Sequence, residues 1–293
     1  MDIRLLEYFV IVADERSVTR AAQRLYAAQS TVSAGLRSLE QELGVSLLER
    51  TTRSVGLTPA GEDLLAAARS IIDGWESMRE AASESTAGVR GRVSIGTFTA
   101  MPLMDLPRVL GQFRRDFPLV DVHLTASPSG STGLVDDVMQ GRLDLAFTTV
   151  PPPVGLIAHE LAQVPYVALV PHGHELVDAG TVDLAALADL PWVDVLPGYG
   201  NRVQIDRALA QRGLSRRIVA EIEAMPSIPE YVAAGLGIAA IPDGMPAPGC
   251  VSLPIVDMPE PWILSLVAGA SAARRRPVDA LRRAIAAAPL RLV

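Results

Sequence analysis

Lysine is absent from this chain; all 26 basic residues are arginine, a pattern that reads as a GC-rich coding bias and not as mechanism. Cysteine is almost absent. With Cys250 alone, an intramolecular disulfide and a thiol-pair switch within one chain are excluded, and an inert packed or loop thiol is expected. Aromatic residues make up only 4%, so the cores must rest on Leu, Val, Ile and Ala. No apolar run approaches the length of a membrane span. The N-terminus shows no basic stretch followed by an apolar one, so no export signal is read. A soluble, cytoplasmic chain without membrane contact is expected.

What is present points to ordered domains. Apolar residues reach 49%, ample for globular folding and against disorder. At 293 residues the chain is too long for one ordinary core, and two or three domains are the expectation. The net charge of −7 looks wrong for a nucleic-acid binder, but its distribution matters more than its sum. Arg16, Arg20, Arg24 and Arg37 stand in a stretch, 16–39, that holds no acid, and Arg50 and Arg53 follow.

The first sixty residues read as helices joined by a tight turn. Residues 2–14 carry a broad apolar helical face. Ser17 is a good N-cap for a second helix over 18–25, whose Ala21-Ala22 pair permits close helix approach. A third helix is expected over 29–43, with Val32, Leu36, Leu39 and Leu43 on one stripe and Gly44 ending it. Its start is polar: Gln29-Ser30-Thr31-Val32-Ser33. A helix pair of this kind presents its second member to the DNA major groove. Two short extended pieces within 47–58 read as a small β-wing, with Arg50 and Arg53 placed to meet phosphates.

Thr58-Pro59 opens another helix, with Thr as cap and Pro at the first helical position, running to about Ser83. It carries two seven-residue rows: Leu64, Ile71 and Met78, then Ala68, Trp75 and Ala82. Heptad spacing on so long a helix suggests a paired helix, and dimerisation through Leu64, Ile71, Trp75 and Met78 is expected over packing on the protein's own body. Residues 83–92 read as a linker. After it strands and helices alternate. Strands are expected at 93–96, 120–124, 143–147, 166–170, 192–196, 218–222, 238–241 and 264–267. Helices are expected at 102–117, 133–141, 202–212, 228–234 and 277–288. Such alternation implies parallel α/β units.

These residues carry a specific resemblance. Tyr8-Phe9-Val10, Ser17-Val18-Thr19-Arg20-Ala21-Ala22, Leu25, Gln29, Val32-Ser33, Leu39-Glu40, Leu43-Gly44-Val45, Leu47-Leu48-Glu49-Arg50, Leu57-Thr58 and Ala60-Gly61 follow one another in order. The later half adds Ile95-Gly96, Pro107, Gly141-Arg142-Leu143-Asp144-Leu145-Ala146, Pro171-His172-Gly173-His174 and Val232-Ala233-Ala234-Gly235-Leu236-Gly237. Over nearly its whole length the chain resembles the LysR-type transcriptional regulators.

The resemblance implies an N-terminal all-α winged helix-turn-helix and a linker helix that dimerises. An α/β effector domain would follow, two-lobed and similar to periplasmic binding proteins. The implied limits are 1–58 for the DNA-binding domain, 59–90 for linker helix and hinge, and 91–293 for the effector domain. Crossings between lobes would fall near 161–165 and 266–270, giving lobe I as 92–161 plus 271–293 and lobe II as 162–270. Implied partners are double-stranded DNA, a small-molecule effector and further copies of the chain as homodimer or homotetramer. RNA polymerase is a candidate further contact.

Three departures from the family pattern stand in the reading head. Ala28 replaces the usual Ser or Thr cap, Ser30 the usual proline, and Gly35 a residue that is commonly Gln. Ser30 is expected to take over as cap, starting the helix two residues late, and readout at Gly35 is expected to be lost or moved. Leu48 in place of Phe is a mild packing change.

The DNA contacts expected are Gln29, Ser30, Thr31, Ser33 and Arg37 on the third helix, with Arg50 and Arg53 on the wing. Gln can pair bidentately with adenine, hydroxyls suit bases or phosphates, and Arg suits phosphate or guanine. Arg20 and Arg24 read equally well as surface charge.

In open α/β sheets ligands meet the loops at strand C-termini, often against helix N-termini. That places Thr97, Thr99, Ala100, Ser129, Ser131, Thr149, Asn201 and Ser227 around an effector cleft, suited to a small anion such as a carboxylate. The alternative is that these residues only cap helices. Arg202 could be a counter-charge or a surface residue. His172 and His174 lie in a loop away from the cleft, and His123 and His159 are isolated, so neither metal nor other cofactor is expected.

Three rival functions compete with a regulator. A solute-binding protein fits the α/β half alone. An enzyme lacks a nucleophile elbow, a phosphate-cradling loop or a metal cluster to support it. A constitutive DNA binder would have its cleft filled by its own side chains, such as Phe98, Met101 and Met104.

Overall fold

The computed structural model describes residues 2–50, 55–83, 88–98 and 104–290. The side chains of Arg50, Ser77, Glu80 and Ala81–Ser83 lie outside that description. So do Arg53, Thr99, Ala100 and Met101. The chain divides into two compact units, Met1–Ala87 with Met139–Gly141, and Gly88–Val138 with Arg142–Val293.

The first unit begins with helix α1 (Ile3–Glu15), capped by Asp2, whose carboxylate accepts from the Arg4 amide. Helix α2 (Val18–Arg24) is capped by Ser17. Helix α3 (Gln29–Leu43) ends at Gly44, in the left-handed conformation that glycine adopts without strain. Leu6, Phe9, Val12, Ala21, Val32, Leu36 and Leu39 form the buried core between the three helices. Strands β1 (Leu48–Arg50) and β2 (Val55–Leu57) pair antiparallel as the wing. Glu40 on α3 anchors the first of them, its carboxylate accepting from the Leu47 and Leu48 amides at 2.8 and 3.2 Å. Helix α4 (Pro59–Ser83) follows. The Thr58 hydroxyl accepts from the Gly61 amide at 3.0 Å, the expected cap.

The second unit has two lobes. In the first, strands β3 (Arg90–Thr97), β4 (Leu119–Ala126) and β5 (Leu145–Thr148) alternate with helices α5 (Leu106–Asp116) and α6 (Gly130–Met139). Strand β4 and strand β5 both pair with β3 in parallel. Two further strands, β6 (Leu156–Val164) and β12 (Trp262–Gly269), complete the sheet in the order β4-β3-β5-β12-β6. Strand β12 runs antiparallel to both of its neighbours, so the sheet is mixed rather than parallel throughout. Helix α10 (Arg276–Ala286) closes this lobe, burying Val278, Leu281 and Ile285.

A buried ion pair ties these pieces together. The Arg275 guanidinium donates to Asp144 Oδ1 at 2.7 Å and to the Arg92 carbonyl at 2.8 Å. The other carboxylate oxygen accepts from the Ser94 amide and hydroxyl. Asp144 thus binds β3, the start of β5 and the approach to α10 into one body.

The second lobe runs from β7 (Tyr166–Pro171) to β11 (Cys250–Pro254). Between them lie helices α7 (Leu184–Ala188), α8 (Gly200–Ala210) and α9 (Ile228–Ala233) and strands β8 (Pro191–Val195), β9 (Arg217–Ile222) and β10 (Ala239–Pro242). Strand β7 lies between β10 and β11, antiparallel to both, while β8 and β9 are parallel. A parallel bridge from Trp192 to Ile238 joins the two groups. Arg216 stacks over the buried Trp192 ring, 4.5 Å from its centroid, and pairs with Asp194 at 2.5 Å.

The expected second crossing, at 266–270, is corrected by this pairing. Strand β12 belongs to the first sheet from Trp262 onward, so the chain leaves the second lobe before Trp262. The reason is register: Leu264, Leu266 and Ala268 belong to the core shared with β5 and β6.

Candidate DNA-reading surface and effector cleft

The burial of Val32, Leu36 and Leu39 turns the rest of α3 outward. Gln29, Ser30, Thr31 and Arg37 are exposed and Ser33 is half-buried, so the polar start of the helix faces solvent with Arg37 one turn on. Among the described residues Arg37 has no ion-pair partner, whereas Arg20 and Arg24 both pair with Glu15, at 3.5 and 3.0 Å. The unpaired cation at the reading helix is therefore Arg37. Arg50 ends β1 at the wing, opposite Val55.

Two expectations for this helix are overturned. Helix α3 starts at Gln29 with Ala28 in the cap position, and no side chain caps it. Ser30 lies inside the first turn and so does not replace the cap. Gly35 faces α1: a Cβ there would lie 2.6 Å from Tyr8 Cδ2 and 3.2 Å from Leu5 Cδ2. The missing side chain makes room for the Tyr8 ring, and Gly35 is not a vacated groove contact. The turn before α3 holds a residue whose role has no signal in the sequence. Tyr26 is 99% exposed and sits at φ +51°, in the left-handed region that non-glycine residues seldom adopt.

On α4 the two rows divide. Leu64 and Ala68 pack into the unit's own core. Ile71, Trp75 and Met78 are 46%, 40% and 55% exposed, an apolar stripe along one helix face.

The cleft expected to hold an effector lies within the second unit. Ser131 at the start of α6 and Thr149 just after β5 line a cavity of about 40 Å³. Phe98, Tyr199, Met225 and Trp262 supply its walls, with Gly200 and Glu223. The two hydroxyls engage each other at 3.1 Å, and the Thr149 amide donates to Ser131 Oγ at 3.2 Å. Across the cleft, Thr132 donates to the Gly198 carbonyl through its hydroxyl at 2.6 Å and its amide at 3.1 Å. Gln204 on α8 donates to the Thr149 carbonyl. A Cβ at Gly198 would lie 2.6 Å from the Ser129 carbonyl oxygen, and one at Gly200 would lie 1.9 Å from Thr149 Oγ1. Glycine at both positions lets the lobes meet backbone to backbone.

The other expected contacts that fall among the described residues lie elsewhere, while Thr99 and Ala100 are outside them. Asn201 is fully buried inside the second lobe, its amide donating to the Ala240 carbonyl at 2.9 Å and to Asp194 Oδ1 at 3.4 Å. Arg202 is committed to Asp206 at 2.9 Å, Glu221 at 3.1 Å and the Val195 carbonyl. Thr97 donates to the Phe98 carbonyl at 3.3 Å, and neither it nor Ser227 lines the cavity. Ser129 is exposed and contributes backbone beside Gly198. His174 caps a short turn through Nδ1. The half-buried Cys250 donates to the Pro229 carbonyl, and burial pushes its thiol up from the ordinary cysteine value.

Residues 3–62 match the model of the bacterial regulatory helix-turn-helix protein, lysR family, and residues 86–289 match the LysR substrate binding domain. An uncharacterised HTH-type transcriptional regulator of Escherichia coli, YnfL, is 34% identical over 83% of this chain and 82% of its own length. The nitrogen assimilation regulatory protein nac of Klebsiella aerogenes is 32% identical over 83% of this chain and 79% of its own. Among solved structures, a full-length OxyR variant from Pseudomonas aeruginosa has the same fold, with a TM-score of 0.76 at 24% identity over 99% of this chain and 97% of that one. CbnR complexed with its target DNA gives 0.54 at 24% identity, over 97% of this chain and all of that one. The chain belongs to the LysR family of DNA-binding transcriptional regulators, with an N-terminal helix-turn-helix and a LysR effector-binding domain.

Proposed function

We propose that the chain works as a homodimer or higher homo-oligomer in the cytoplasm, with α3 in the major groove and the cleft between the lobes as its effector site. The observation that carries the first part is the outward polar start of α3 beside an exposed Arg37 free of acidic partners among the described residues. Gln29, Ser30, Thr31 and Ser33 then meet base edges or phosphates, and Arg37, Arg50 and Arg53 meet phosphates or guanine. Glu15 draws Arg20 and Arg24 away from that role. CbnR, whose structure is of the protein complexed with its target DNA, supports the same use of this fold. Ile71, Trp75 and Met78 leave an apolar stripe on α4 that a second copy of the helix would cover. No helix among the described residues is long and apolar enough to cross a membrane.

Effector binding acts by changing the closure of the lobes. The Thr132–Gly198 bonds and the Gly200–Thr149 contact hold them together, and a ligand that favours another spacing shifts that equilibrium by its differential affinity. In an oligomer this repositions the reading heads on DNA. The experiment is binding of the full-length protein to the DNA upstream of its own gene, with and without candidate effectors. Tight, competitor-resistant binding is expected. Binding equal to that on random DNA would overturn the assignment of α3 as reader.

A further inference from the structure

The cavity between the lobes is a poor cradle for an anion. Three of the four first-turn amides of α6 are occupied: Gly130 donates to the Ser127 carbonyl, Thr132 to Gly198 across the cleft, and Gly133 to Ser129. Arg202, the nearest candidate counter-charge by sequence, is held by Asp206 and Glu221. No cationic residue lines the cavity among the described residues.

What lines it favours the opposite sign. Glu223 is the one charged residue of the lining among the described residues, exposed and with no ion-pair partner there. Phe98, Tyr199 and Trp262 supply aromatic surface, whose negative faces attract cations. Trp262 is 5% exposed, and its indole N–H is buried with no acceptor among the described residues. A buried donor left unmade costs free energy, so the site gains from a ligand that brings an acceptor. The cavity of about 40 Å³ has room for about three waters, which limits a ligand in the closed state to a few heavy atoms.

We infer that the effector is a small organic amine carrying one hydroxyl or carbonyl acceptor, with its ammonium toward Glu223 and its acceptor on the Trp262 indole. This rests on the reading of the cleft as the effector site and replaces the carboxylate expected from sequence.

The test uses the full-length protein, thermal shift and isothermal titration, and two probe series at matched ionic strength. Ethanolamine, glycinamide and methylamine are the amines; acetate, glycolate and lactate are the carboxylates. Ethanolamine and glycinamide are expected to stabilise the protein saturably by about 10 mM, where a millimolar ligand is near saturation. Glu223→Gln, a change at an exposed position, should weaken them about tenfold, the scale of one charge-assisted hydrogen bond. Trp262→Phe should remove the advantage of ethanolamine over methylamine, a readout that general destabilisation would not produce.

If carboxylates bind instead and the cleft variant Thr149→Val abolishes that binding, the site stands and the charge assignment falls. If no probe acts, the amine assignment fails; if probes act but Thr149→Val and Glu223→Gln leave every response unchanged, the siting fails with it.

Discussion

Replacing Gly35 by alanine separates two readings of the recognition helix. Glycine within a helix costs up to about 1 kcal/mol relative to alanine, so the substitution should stabilise if nothing else changes. Here the new Cβ would lie 2.6 Å from Tyr8 Cδ2 and 3.0 Å from Cε2. Overpacking of this kind costs about 1–3 kcal/mol, so a net loss of roughly 0–2 kcal/mol is expected once the propensity gain is subtracted. Gly111 provides the control. It lies inside α5, and a Cβ there would meet only the far end of the Arg115 side chain, at 3.9 Å. Gly111→Ala should therefore gain up to about 1 kcal/mol. Urea unfolding followed by circular dichroism reads both as shifts in midpoint at constant slope. In a Tyr8→Ala background the Gly35→Ala penalty should vanish, as a double-mutant cycle would show. If Gly35→Ala raises the midpoint as much as Gly111→Ala does, Tyr8 does not confine this position and the packing account of Gly35 is wrong.

Other outcomes follow from the same geometry. Ala28→Ser supplies the missing cap of α3 and should add about 1 kcal/mol, seen as a higher urea midpoint; no change would mean the first-turn amides are already satisfied. Tyr26→Gly relieves a left-handed residue and should raise stability by up to about 1 kcal/mol, while a loss would show that the Tyr26 backbone is not strained. Asp144→Ala strands the buried Arg275 guanidinium and should cost about 3–5 kcal/mol, measured by the same unfolding. Trp75→Ala removes the largest exposed side chain of the α4 stripe and should raise the dimer dissociation constant in sedimentation; an unchanged constant would move the interface elsewhere.

The helices of the reading head were legible because their signals are local. Caps at Ser17 and Thr58, the stop at Gly44 and the Val32-Leu36-Leu39 stripe each lie within a few residues of the feature they specify. Strands β6 and β11 were missed. The exposed polar run His159-Glu160 within β6 reads as loop until β12 pairs with it, and β11 has only five residues and Pro at its end. The glycine departure was visible as a letter, but its meaning depended on Tyr8, which lies 27 positions before Gly35 in sequence.

The cleft was harder still. Ser131 and Thr149 sit at strand and helix ends as the topology rule anticipates. Asn201 obeys the same rule in sequence yet points into its own lobe, because the buried Asp194 and the Ala240 carbonyl offer its amide partners there. Trp262 carries no local signal at all, since its place at the cleft comes from β12 returning to the first sheet.

The most direct measurement is the affinity of the full-length protein for the DNA upstream of its own gene, by fluorescence anisotropy across a salt series, for wild type and Arg37→Ala. The account predicts tight wild-type binding that falls steeply with salt, and for the variant a slope shallower by about one unit per phosphate that Arg37 neutralises. Wild-type affinity equal to that for scrambled DNA, or the same slope in both proteins, would contradict the placement of α3 and Arg37 on the DNA.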